Sequence, residues 1–170
     1  MTRPGAQLWA PWRMPYLKKI TRNDKNVGCF FCDYAKNPRK DRENLVAHRG
    51  NHCFSLLNRF PYSGGHLLVA PLAHKAELAV FTPAEREELF DQLVLMQETL
   101  DRLMHPQGYN IGLNIGRAAG AGIPGHLHFH IVPRWNGDTN FMASVAHAKV
   151  IPQALEELHA DLQKALRGRR

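Results

Sequence analysis

Between residues 52 and 133 the spacing of apolar and polar positions changes period twice. "HCFSLLN" (52–58) and "HLLVAP" (66–71) are short apolar runs flanking the turn sequence "FPYSGG", a pattern that predicts a β-hairpin. From residue 83 the period lengthens: Leu89, Leu93, Met96, Leu100 and Leu103 recur at spacings of three and four, which predicts an amphipathic helix. Thr82 suits its N-cap, Pro83 its first turn and Glu85 a capping box, with an end expected near His105-Pro106. "YNIGLNIG" (109–116) reads as a third strand, "RAAGAGIPG" as a Gly/Ala loop and 126–133 as a fourth strand. Pro152 to Leu166 predicts a C-terminal helix with Leu155, Leu158, Leu162 and Leu166 on one side. Residues 33–44, "DYAKNPRKDREN", read as a polar loop. The segment 1–28, with three prolines among Trp9, Trp12 and Tyr16, reads as irregular chain lying over a surface. No repeat or boundary divides the rest, so one α+β domain is expected over 29–170.

Within that frame, "GHLHFHIVPRW" (125–135) has the strictest alternation. In a strand, residues i and i+2 lie about 6.6 Å apart on one face. His126, His128 and His130 therefore share a face, and Leu127, Phe129 and Ile131 share the other. Three imidazoles in a row fit a metal site or nucleophilic catalysis, since a neutral imidazole with a pKa of about 6.5 is a good nucleophile near pH 7. A wetted polar face is the plain alternative. The preceding loop adds Gly120 and Gly122, which let backbone N–H groups approach an anion closely; a tight turn would use them equally well. No Gly-Lys-Ser/Thr follows, so it is no P-loop.

Composition narrows the class further. At 44% hydrophobic and 22% charged residues the chain reads as an ordinary globular protein, and no apolar run approaches the ~20 residues of a membrane span. The N-terminus has no continuous apolar stretch of the signal-peptide kind, which makes a cytoplasmic protein the expectation. A net charge of +7 suits anionic partners, from nucleic acid to phosphorylated small molecules. Without a Lys/Arg stripe interleaved with aromatics, nucleic acid is not favoured. Three cysteines argue against a disulfide framework. Cys53 reads as a small core residue, whereas "GCFFC" sets Cys29 and Cys32 at the spacing of half a zinc site or a redox pair. A zinc site needs two more ligands than this pair supplies. The remaining histidines, 48, 52, 105, 147 and 159, receive no role.

"HLHFHIV" resembles the His-φ-His-φ-His-φ-φ motif of the histidine triad (HIT) superfamily of nucleotide hydrolases and transferases, where φ is apolar. "FSLLNRFPYSGGHLLVAPLAH" is similar to that family's first hairpin and "GLNIGRAAGAG" to its phosphate loop. With "PRWNGDTNF" and "KVIPQ", about 130 residues from Cys29 onward resemble bacterial diadenosine tetraphosphate phosphorylase-like and dinucleoside polyphosphate hydrolase proteins. The resemblance implies a HIT-like antiparallel sheet of about five strands with a long and a C-terminal helix, and a homodimer formed through the long helix and an edge strand. It implies attack by His128 on the α-phosphorus of a small-molecule nucleotide, a covalent nucleotidyl-histidine, and support from His130 and His66. Asn58 matches the ribose-binding position, Phe54 would line the base pocket, and Asn114, Gly120, Ala121 and Gly122 would surround the phosphates. Where relatives carry Gln and Ser/Thr before the triad, this chain has Ala121-Gly122-Ile123-Pro124, which leaves phosphate binding to backbone amides. Structural zinc on Cys29, Cys32, His74 and His126 is implied as well, and magnesium could accompany the substrate, although no acidic cluster near the loop demands it. Two rivals predict differently. A nucleotide-sensing module would not depend on His128, and a metal-dependent hydrolase would hold its metal against His128 and His130.

Overall fold

The computed structural model describes residues 28–138, 151 and 153–168. Except for Gly28, the irregular segment expected at 1–28 lies outside them, as do most of "DTNF" and "KVIPQ". Five strands form one antiparallel sheet: β1 (Val46–Arg49), β2 (Cys53–Leu57), β3 (Leu67–Pro71), β4 (Gly108–Leu113) and β5 (Phe129–Arg134), ordered β1-β2-β3-β5-β4. The α+β architecture is as expected, and β2 and β3 pair as the predicted hairpin, from Cys53 opposite Pro71 to Leu57 opposite Leu67.

Alternation sorts the side chains. Cys53, Leu57, Leu67, Val69 and Ile131 face the long helix α2 (Pro83–Met104) and the C-terminal helix α3 (Leu155–Arg167), forming the main core with Leu89, Leu93, Met96, Leu100, Leu158 and Leu162. Phe54, Leu56, Leu68 and Ala70 face the other way, under the short helix α1 (Phe30–Lys36). The capping box forms: Thr82 Oγ1 accepts from Glu85 N, and the Glu85 carboxylate accepts from Thr82 N. Lys75 reaches that carboxylate at 2.6 Å, so the loop before α2 is tied to its first turn.

Three expectations need correction. The polar loop at 33–44 begins as helix. Its N-cap Cys29 makes no side-chain bond, and the seven residues of α1 are held by packing, with Phe31 fully buried against Phe54, and by Asn37 and Arg49 side chains that donate to the Asp33 and Tyr34 carbonyls. β1, which no sequence segment announced, is a four-residue edge strand with an irregularity between Val46 and His48. His159 Nε2 donates to the Val46 carbonyl at 2.8 Å and Gln163 Nε2 to that of Ala47 at 2.6 Å, so α3 satisfies the bulged edge. The triad strand begins at Phe129 rather than residue 126. β3 stops at Pro71, and beyond it Leu127 N donates to the Lys75 carbonyl while His126 N closes a turn on Ile123.

Candidate active site and metal centre

The β2–β3 turn folds back on itself and so sets two side chains. Asn58 Oδ1 accepts from Phe60 N at 2.9 Å, and His66 Nδ1 accepts from Tyr62 N at 3.0 Å. Asn58 Nδ2 lies 3.3 Å from the same His66 nitrogen. Because Nδ1 of His66 accepts, its proton sits on Nε2, and that group donates to His130 Nδ1 at 2.9 Å. His130 is thereby left with its proton on Nε2. The Tyr62 ring covers this pair, 4.7 Å from His66 and 6.0 Å from His130 between ring centres.

His128 has the opposite tautomer. Its Nδ1 donates to the carbonyl of His126 at 2.9 Å, which leaves the lone pair on Nε2. Burial pushes its pKa below the usual 6.5, so the ring is neutral at pH 7. Its centre lies 5.0 Å from that of His130 and 4.8 Å from Phe31, whose ring also lies 4.9 Å from His126. His128 and His130 open onto a cavity of about 530 Å³.

Asn58, Asn114, Gly120 and Gly122 line that cavity, together with Phe30, Tyr34, Leu56, Leu68 and Ile123. Phe54, expected at the base pocket, does not: it is fully buried, with its ring edge-on to Phe31 at 6.3 Å. Ala121 is also absent from the lining. Gly120 adopts the left-handed region at φ +86° that its turn requires. In that turn the amides of Gly120 and Ala121 donate to Arg117 and Gly116 carbonyls. Among the described residues the amides of Gly122 and Ile123, both cavity-lining, have no acceptor. Sequence reasoning missed Phe30, Tyr34, Arg59 and Tyr62; the i, i+4 spacing of Phe30 and Tyr34 was the one available signal.

The first triad histidine does different work. Cys29, Cys32, His74 and His126 offer donor atoms that all lie within 4.8 Å of one another. Cys29 Sγ is 3.3 Å from His126 Nδ1, and Cys32 Sγ is 3.2 Å from His74 Nδ1 and 3.6 Å from His126 Nδ1. A tetrahedral zinc with ordinary Zn–S and Zn–N bonds sets such donors about 3.6 Å apart. His126 Nε2 donates to the Pro71 carbonyl at 2.8 Å, which turns the lone pair of Nδ1 toward the thiols. Burial holds His126 down at about 4, hence neutral, and pushes the Cys29 thiol up to about 11, a position that a bound dication reverses. A Cβ at Gly125 would stand 3.0 Å from His74 Nε2, so glycine makes room for that ligand. The residues fit zinc. Among the described residues this is the one such cluster, and it includes neither His128 nor His130.

A five-stranded antiparallel sheet presenting a His-x-His-x-His segment beside a glycine loop defines the histidine triad class of protein. Residues 39–137 match the HIT domain, and the chain belongs to the HIT family. It is 37% identical over 154 residues to the AP-4-A phosphorylase of Mycobacterium tuberculosis, covering 89% of this chain and 79% of that one. It is 32% identical over 93 residues to the bis(5'-nucleosyl)-tetraphosphatase [asymmetrical] of Schizosaccharomyces pombe, covering 55% of this chain and 50% of that one. Among solved structures it resembles a Zn-bound histidine triad family protein from Mycobacterium smegmatis at a TM-score of 0.66 and 25% identity, covering 83% and 94% of the two chains.

Proposed function

We propose that the protein cleaves a dinucleoside polyphosphate such as diadenosine tetraphosphate at the α-phosphate, passing the nucleotidyl group through His128 to water or to inorganic phosphate. The observation that carries this reading is the Nδ1–H···O=C bond from His128 to His126, which makes Nε2 a fixed, unprotonated nucleophile at the cavity. Nε2 forms a bond to the α-phosphorus as the bond from phosphorus to the bridging oxygen breaks. The leaving polyphosphate takes the electron pair and, as a phosphate anion, needs no proton near pH 7. The His128 ring becomes cationic, its Nδ1 proton held by the His126 carbonyl. His130, with its proton on Nε2, donates to a phosphate oxygen, and His66 keeps it in that tautomer. Phosphate, or water that releases a proton to solvent, then attacks phosphorus, and the pair of the P–N bond returns to Nε2.

Asn58 binds ribose, Asn114 with the Gly122 and Ile123 amides binds phosphates, and Phe30, Tyr34, Leu56 and Leu68 enclose the base. Cys29, Cys32, His74 and His126 hold a structural zinc, which when bound ties α1 to the segment carrying His128. Its reduced thiols suit a cytoplasmic protein. Exposed Phe90 and Val94 on α2 and Ile111 on the open edge of β4 form a homodimer surface. The names of the phosphorylase and tetraphosphatase relatives support the substrate class. Product analysis with diadenosine tetraphosphate tests it: AMP plus ATP identifies a hydrolase, ADP plus ATP with added phosphate a phosphorylase, and an intact substrate overturns the proposal.

A further inference from the structure

Among the described residues one charged side chain lines the cavity, that of Arg59, just past the end of β2. Its guanidinium is positioned rather than loose. Nε donates to Tyr34 Oη at 3.3 Å and Nη2 to the Glu43 carbonyl at 2.5 Å, which binds Arg59 to α1 and to the loop before β1. No carboxylate among the described residues pairs with it. Nε and Nη2 each commit a hydrogen to those bonds; both hydrogens of Nη1 and the second of Nη2 remain as donors that a planar acceptor pair can engage.

The sheet order says which part of a nucleotide reaches this fork. His130 lies on β5; β3 and then β2 follow, each about 4.8 Å further on. The end of β2 is therefore roughly 10 Å across the sheet from the triad, about the span of a nucleoside 5′-phosphate. A phosphorus at His128 thus brings the base, not the phosphate chain, toward Arg59. The walls there are Phe30, Tyr34, Leu56 and Leu68, a mostly apolar surface of two aromatic rings and two leucines that suits a planar ring better than a phosphate chain.

Resting on the nucleotidyl-transfer reading above, we infer that Arg59 is a specificity-determining residue that selects guanine over adenine at the nucleotide bound in the cavity. Two parallel N–H donors match the O6 and N7 acceptors of guanine. Adenine offers N7 but puts an N6 amino donor where O6 would be, so one arm of the fork meets another donor and goes unpaired. Arginine is the residue for this task because its fork is rigid and always charged; lysine is a point charge.

Binding of GMP and AMP to the zinc-loaded protein by calorimetry, and kcat/KM for diguanosine and diadenosine tetraphosphate, test the inference together. The expected result is a preference for guanine of about tenfold in both measurements, the scale of one bidentate pair. In R59L the ratio of the two substrates falls to near unity, and R59K does not restore it. Equal binding of GMP and AMP by the wild type, or a preference for AMP, overturns the inference. An equal loss on both nucleotides in R59L also overturns it, because Arg59 then serves phosphate or packing. Cleavage of neither tetraphosphate sinks the nucleotidyl-transfer reading, while the GMP-to-AMP ratio still decides what Arg59 selects. Thermal melting of both variants separates a misfolded protein from an altered site, and the wild-type ratio stands without either of them.

Discussion

His128 and His130 lie two residues apart yet carry their protons on different nitrogens, because one ring meets a carbonyl and the other meets His66. In the proposed mechanism that difference divides the labour: one ring attacks and the other donates. H128N is expected to lose about 10³-fold or more of turnover while nucleotide binding stays within a few-fold, measured by single-turnover kinetics beside calorimetry. A binding module without catalysis predicts no such split. Gly65 belongs to the same scale. It holds φ +77°, and a Cβ there would lie 2.8 Å from Met104 Sδ and 3.0 Å from Pro133 Cγ. Gly65→Ala should destabilise by about 2 kcal/mol through left-handed strain and overpacking, read from the denaturant midpoint at constant m-value. Because the next residue is His66, the same variant should also slow turnover.

At the scale of elements, α2 and the segment entering β5 share one clamp. Lys75 lends its carbonyl to Leu127 N and its ammonium to Glu85 at the start of α2. The Lys75 hydrogen bond and the Thr82 cap hold the Glu85 carboxyl down at about 2, from the usual 4.5. A carboxyl with a depressed folded-state pKa stabilises fully above its unfolded value and loses that contribution as protons neutralise it. Stability should therefore decline as pH falls from about 4.5 toward 2, and K75M should flatten this part of the melting-temperature profile. At pH 7 the substitution is expected to cost about 1 kcal/mol, because the pair lies near the surface. An unchanged acid profile in K75M would show that the bridge contributes nothing. The α3 helix makes a related point: its carbonyl contacts through His159 and Gln163 close the β1 edge, a role that no periodicity assigns to either residue.

Over the whole molecule, the metal cluster joins α1, the loop after β3 and the approach to β5, three pieces remote in sequence. Zinc removal by a chelator should lower stability by about 4 kcal/mol relative to protein with free zinc at a thousandfold excess over Kd. C32S should abolish that difference, and metal analysis should give one zinc per chain; an identical melt with and without chelator contradicts a structural ion. Light scattering should report twice the 19.3 kDa chain mass, and I111K should shift it toward the monomer. The sequence by itself determined the strand–turn–strand hairpin, the capped helix from Thr82, the face shared by His128 and His130, and the four metal-ligand candidates. The first three are local or depend on a period, and pleat and cap geometry follow from nearest neighbours, whereas the ligand set, remote in sequence, was legible only through the family resemblance. Tertiary structure alone decided that α1 is a helix, that Phe54 is buried against Phe31 rather than lining the cavity, and that Arg59 turns toward Tyr34. It also decided which ring nitrogen each histidine leaves open. Apart from the bond from His128 to the His126 carbonyl two residues back, these depend on partners tens of residues away, and hydrogen bonds and packing across that distance leave no trace in the local alternation of the chain.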